Sequence, residues 1–166
     1  MTRATRERGW RTIPVPADLR EFGHDWDAAK RETLAEWQFS NYPFLWNNCI
    51  RSEAVYKAGV ELPELGVVKG LVVVTKGGLF PASNSSLYFE QARAQFAAAT
   101  NFNAFTIPIR LVGLTIEPQV DRYQAIWTEY ADRTSRTALR TAQVTISVTW
   151  TEKRRYGHRA ALFSLP

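Results

Sequence analysis

Apolar spacing along the chain predicts three strands and two helices before any chemistry is considered. Residues 70–75, GLVVVT, form a near-continuous apolar run, as in a strand covered on both faces. TIPIRLVGL, at 106–114, predicts a second central strand, and VTISVTW, at 144–150, alternates strictly, which predicts a strand with its Thr/Ser face exposed. A helix is predicted from Pro43, a residue suited to a first turn, to near Gly59, a C-cap residue. Trp46, Ile50 and Ala54 line one side of it, and Leu45 and Cys49 widen the apolar surface. That surface is broader than a surface helix needs, so burial on two sides or a subunit contact is expected. Ser83, Asn84 and Ser85 are N-cap candidates for a second helix reaching about Ala99, with Tyr88, Ala92, Phe96 and Ala99 on one face.

Two further strands, 22–28 and 33–39, are predicted to pair as a hairpin across AAKRE. Pro14 and Pro16 impose an extended stretch before them, and KGGLFPASNSS interrupts regular structure later. No linker divides these pieces. The order of elements reads as mixed α/β in a single domain covering residues 1–166.

The hairpin raises a chemical question. Alternation from Thr33 to Phe39 puts Ala35, Trp37 and Phe39 on one face, expected in the core, and Leu34, Glu36 and Gln38 on the other. Hairpin pairing brings Asp27 back beside Glu36 and Gln38. Two carboxylates and a neutral oxygen donor suit a hard divalent cation such as Mg²⁺ and suit zinc poorly. His24 and His158 are the only histidines and lie far apart in sequence, which argues against a His-rich zinc site. The alternative is that Asp27 and Glu36 are solvated hairpin charges.

Composition narrows the class. The chain has 166 residues, 45% of them hydrophobic, enough for one domain with a substantial core, and it shows no internal repeat. No apolar run approaches the ~18 residues of a membrane span. The basic N-terminus, MTRATRERGW, is followed by IPVP and not by the apolar segment of a secretory signal. Cys49 is the single cysteine, which excludes an internal disulfide or thiolate cluster and suggests a reducing, intracellular setting. The net charge of +5 is uneven. Arg133, Arg136, Arg140, Lys153, Arg154, Arg155 and Arg159 face a lone acid, Glu152, while the acids gather earlier, at Asp18, Glu21, Asp25, Asp27, Glu32 and Glu36. Such a stripe attracts phosphate polyanions, or is simply a solvated basic face.

Three long segments carry a resemblance. EWQFSNYPFLWNNCIRSE, TKGGLFPASNSSLYFEQA and PIRLVGL, in this order, resemble the BglII-like type II restriction endonucleases, over a span from about Ile13 to Arg140. The resemblance implies a PD-(D/E)xK restriction-endonuclease core, a mixed central sheet flanked by helices. It implies Mg²⁺-dependent double-strand cleavage at a palindromic site centred on GATC, by a homodimer in the bacterial cytoplasm. Double-stranded DNA would be the partner, with a cognate DNA methyltransferase as genetic partner. Asp27 would bind the metal, Glu36 and Gln38 would complete the catalytic site, and Glu36 and the backbone carbonyl of Trp37 would be further metal ligands. Ser40, Asn41 and Arg51 would lie at the DNA interface, Asn84 and Ser85 in a second recognition loop, and Arg136 would read a base.

There are departures. Gln38 stands where the wider nuclease pattern has Lys, Thr12 falls where the family has an active-site Asn, and Thr134 replaces a Tyr in a loop one residue shorter. The chain lacks the family's longer N-terminal extension and ends early, at Pro166. Two other readings compete: a sequence-specific DNA-binding protein that has lost cleavage through shortened termini, and a carbohydrate-binding module stacking sugars on Trp and Tyr. Trp26, Trp37, Trp46 and Trp150 sit in patterns of core or interface, which weakens the latter.

Overall fold

The computed structural model describes residues 3–39, 41–81, 86–118, 120–132 and 137–165. Within the 1–166 span read from the sequence as one domain, two compact units are present: Met1–Gly77 with Ala82–Leu114, and Gly78–Pro81 with Thr115–Pro166.

The first unit is built on a five-stranded mixed sheet. After a short helix α1 (Arg3–Glu7) come β1 (Arg11–Pro14), a 3₁₀ turn (Ala17–Phe22), β2 (Asp25–Lys30) and β3 (Thr33–Trp37). Helix α2 (Pro43–Ala58), the small hairpin β4 (Glu61–Leu62) and β5 (Gly66–Val67), β6 (Gly70–Lys76), α3 (Phe89–Asn101) and β7 (Ile109–Leu114) follow. The sheet order is β1-β2-β3-β6-β7. Strands β1, β2 and β3 pair antiparallel, whereas β3, β6 and β7 run parallel. Each parallel step needs a crossover, and α2 and α3 supply the two. The mixed α/β class expected from the sequence is the one observed.

The β2–β3 hairpin turns tightly because Arg31 (φ 46°) and Glu32 (φ 62°) both take left-handed backbone, the requirement of a type I′ loop. Helix α2 starts with Pro43 in its first turn and ends on Gly59 at φ 61°, as its sequence predicts. The core gathers Trp26, Leu34, Leu45, Cys49, Leu71, Val73 and Leu87, with Leu34 paired to Leu71 across β3 and β6.

Two face assignments differ from expectation. Leu34, Glu36 and Gln38 are buried on β3; on its other face Ala35 is buried as expected, while Trp37 is half-buried and Phe39 is 41% exposed. Helix α2 covers the first face and reaches Glu36 and Gln38 with polar side chains, so hydrogen bonds allow a carboxylate and an amide to be buried there. On α2 itself Ile50 is 42% exposed, and the covered side centres on Leu45, Cys49, Ser52 and Val55. The second helix begins at Phe89, later than predicted, and buries Ala92; the N-cap candidates Ser83, Asn84 and Ser85 lie outside the described residues.

The second unit is a three-stranded antiparallel sheet in the order β10-β9-β8, formed by β8 (Arg122–Tyr130), β9 (Ala138–Arg155) and β10 (His158–Ser164). Val148, Ala161 and Leu79 are buried, and Phe80 stacks on Phe163 at 6.0 Å between ring centroids. Thr145 and Thr149 are exposed on the opposite face from Val148, as the alternation of 144–150 predicts; Ser147 is half-buried.

Candidate active site

The β2–β3 ladder runs from Lys30–Thr33 to Ala28–Ala35 and stops. Beyond it, β3 has no backbone partner on this side among the described residues, and the Asp27 carboxylate takes over: the Trp37 N–H donates to Asp27 Oδ2 at 2.8 Å. On its other edge β3 continues beside β6, where the Gln38 N–H donates to the Val74 carbonyl at 2.8 Å. A parallel strand bonds the residues flanking Trp37, so the N–H and C=O of Trp37 both face the β2 side. Asp27 is exposed, and Thr12 Oγ1 donates to the Asp27 carbonyl at 3.4 Å.

Glu36 points into the protein and is 3% exposed. Its carboxyl lies within hydrogen-bonding reach of Asp27, and Arg51 Nη2 donates to its Oε1 in a buried ion pair. Burial pushes the Glu36 carboxyl up to about 8, against the downward pull of Arg51 and with a further upward push from the Asp27 charge. Removal from water thus outweighs the guanidinium. A proton, a second cation or both complement this pair of acids.

Arg51, expected at a DNA interface, is 3% exposed and turned inward. Its guanidinium donates to the Phe22 carbonyl (3.2 Å) and the Asp25 carbonyl (2.9 Å), and it lies 5.3 Å over the Trp26 ring. Trp26 in turn donates from Nε1 to Ser52 Oγ at 3.0 Å, one residue along α2. Gly23 is what admits the guanidinium: at φ 124°, a Cβ there would collide with Arg51 Nη1.

Gln38 occupies a separate set of contacts. Its Nε2 donates to the Asn41 carbonyl at 2.9 Å, and its Oε1 accepts from Asn48 Nδ2 at 3.3 Å. The same Asn41 carbonyl accepts the Phe44 N–H at 3.3 Å, at the start of α2. Lys76 Nζ donates to the Phe39 carbonyl at 3.0 Å, and Asn41 bridges to Ser86. The structure therefore joins Asp27 to Glu36, and holds Gln38 against the loop carrying Asn41. Ser40, Asn84, Ser85 and Arg136 lie outside the described residues.

Sequence reading missed Asn48. The signal was present, because Asn48, Arg51 and Ser52 recur at i, i+3 and i+4, a polar stripe on an otherwise apolar helix side. It also missed Glu53, which anchors the strand following α3. Burial alone would raise the Glu53 carboxyl, but bonds from Thr106 Oγ1 (2.6 Å), the Ile107 N–H (2.8 Å) and the Thr106 N–H, with Lys57 beside it, bring it down to about 2.

Among the described residues, no group of three or more His, Cys, Asp or Glu could hold a metal ion. The donors here are of another composition: two carboxyl groups and a backbone carbonyl, all oxygen. That set fits a hard divalent cation and not a soft one.

A mixed sheet carries adjacent acids at the open end of a hairpin, and comparison with known proteins specifies the family. The family described as "Restriction endonuclease BglII/BglIII" matches residues 1–114. The chain belongs to that family. It is 48% identical over 121 residues to the type II restriction enzyme BglII of Bacillus subtilis, covering 73% of this chain and 53% of that enzyme. The chain thus spans about half the length of the curated relative it matches. The crystal structure of BglII complexed with a DNA 16-mer is similar at a TM-score of 0.81 and 41% identity, over 96% of this chain and 72% of that one. That of free BglII is similar at a TM-score of 0.62 and 37% identity, over 94% and 72%. No helix among the described residues is long and apolar enough to cross a membrane.

Proposed function

We propose that the protein is a type II restriction endonuclease that cuts both strands of DNA at a palindromic site centred on GATC, using Mg²⁺. The observation that carries this reading is the meeting of the Asp27 and Glu36 carboxyls where the β2–β3 ladder ends. Membership of the BglII/BglIII family supports it.

Asp27, Glu36 and the Trp37 carbonyl would hold the cation. Bound there, it would supply charge neutralisation and polarisation at the scissile phosphate. Gln38 brings neither positive charge nor a strong base, so its part is to orient water or metal ligands through its amide. Asp27 is fixed by the Trp37 N–H, and Arg51 fixes Glu36 from below. Arg51 is thus assigned to support the site from within the protein, not to read a base. Ser40 and Asn41 would read base edges beside the catalytic strand, with Asn84, Ser85 and Arg136 on further loops, by the donor and acceptor code of the major groove. A palindrome is matched by a two-fold protein, so a homodimer is part of the reading, with α2 and α3 as contact helices. A bacterial cytoplasm and a DNA methyltransferase guarding host sites complete it.

Digestion of unmethylated plasmid with Mg²⁺, followed by mapping of the cut ends, tests the proposal. Ends at GATC-centred palindromes are expected from the wild-type protein and none from Asp27→Ala. Uncut plasmid bound tightly at such sites would leave a DNA-binding protein and remove the enzyme.

A further inference from the structure

The hairpin that closes the second unit carries a charge arrangement which folding alone does not explain. β9 and β10 meet across a tight turn at Tyr156 (φ 50°) and Gly157 (φ 84°). Just behind the turn, Arg154 on β9 stands directly opposite Arg159 on β10, and Arg155 opposite His158. Side chains directly opposite on antiparallel strands have Cβ atoms about 5 Å apart, and like charges so placed destabilise the pair.

Two of these cations are secured within the hairpin or its surroundings. Arg159 donates to the Trp150 and Thr151 carbonyls and pairs with Glu152 at 2.8 Å. Arg155 donates to the Phe80 carbonyl at 3.3 Å. Glu152, the acid within this end of the hairpin, is thereby taken up. Arg154 and Lys153 are exposed and make no side-chain hydrogen bond or ion pair among the described residues. Being neighbours on a strand, they project to opposite faces of the ribbon. A ribbon with an uncompensated cation on each face, one of them opposite another arginine, suits a polyanion running past its edge. The backbone of duplex DNA is such a polyanion.

We propose that the β9–β10 hairpin is a sequence-independent contact to the DNA sugar–phosphate backbone, with Lys153 and Arg154 each meeting a phosphate. The proposal rests on the reading of the protein as one that acts on DNA, and adds a contact outside its recognition loops.

Equilibrium binding of the full chain to two short duplexes, one with a GATC-centred palindrome and one without, tests it across a salt series without divalent metal. Each phosphate contact contributes about 0.9 to the slope of log K against log[salt]. Replacing both Lys153→Ala and Arg154→Ala should therefore lower the slope by roughly 1.8 for each subunit bound, or roughly 3.6 for a homodimer, on both duplexes. Lys153→Arg with Arg154→Lys should keep it. Lys69→Ala removes a surface charge already paired with Glu32 and should leave it unchanged. Equal slopes for the wild-type and the double-alanine chain would overturn the proposal, as would a fall seen only on the GATC duplex. Because no cutting is measured, a chain that binds but never cleaves would end the nuclease reading and leave this test intact.

Discussion

Trp37 donates its backbone N–H to Asp27 Oδ2 at 2.8 Å, so a side chain stands where a strand partner would otherwise continue the ladder. This relationship makes Asp27 both a piece of sheet and an exposed acid.

Asp27→Asn should separate the two roles. The amide oxygen still accepts from Trp37, so thermal unfolding should change little, whereas cleavage should fall by about a thousandfold if several kcal/mol of charge stabilisation are lost. Equal cutting by Asp27→Asn and wild-type in single-turnover assays would contradict this.

Removing Arg51 leaves the Glu36 carboxyl buried without its guanidinium. Arg51→Ala should cost about 3–5 kcal/mol in chemical denaturation. Above pH 8, where the Glu36 carboxyl is ionised in the wild-type, adding Glu36→Gln should restore part of that loss, because the uncompensated charge is gone. A double variant as unstable as Arg51→Ala would show that packing, and not charge, is at stake.

Gly23 offers a steric test of the same pocket. Gly23→Ala places a methyl group on the Arg51 guanidinium and strains a φ of 124°. Destabilisation of more than about 2 kcal/mol is expected, and less of it in an Arg51→Ala background, where the clash is gone and the backbone strain stays, as read by urea midpoints.

Glu53 sets an acid limit. Its folded value of about 2 lies below the ordinary 4.5, so its stabilisation is fully present above pH 4.5, declines as pH falls towards 2 and is absent below that. The shift corresponds to about 3 kcal/mol. The stability gap between wild-type and Glu53→Gln, measured by urea unfolding at a series of pH values, should narrow across that window and stay flat above it.

Much of the first unit was legible in the sequence. Apolar runs marked β6 and β7, Pro43 and Gly59 bounded α2, and the predicted hairpin formed, although its first strand starts at Asp25, runs on through Lys30 and turns on Arg31 and Glu32 alone and not across AAKRE. The sidedness of β3 was not legible, because alternation defines two faces without saying which is covered. Trp37 and Phe39 are the larger apolar side chains, yet α2 brings Asn48, Arg51 and Ser52 onto the other face, and those partners come from a different element. Arg51 illustrates the same limit. Its place in a motif suggests a surface role, while the pocket that holds it is made by Phe22, Gly23 and Asp25, nearly thirty residues earlier in the chain. Strands β8 and β10 did not stand out because apolar Ile126 and Leu162 lie exposed on them and blur the alternation that a sheet with one solvated face would otherwise show.

One carbonyl oxygen, that of Asn41, serves the Gln38 amide and the first turn of α2 together. Such a shared acceptor has no slack: moving it towards one donor pulls it from the other. Should Asn41 grip a base, a mismatched partner would be felt at Gln38 immediately, and discrimination among sequences would emerge as differences in turnover even where occupancy is similar.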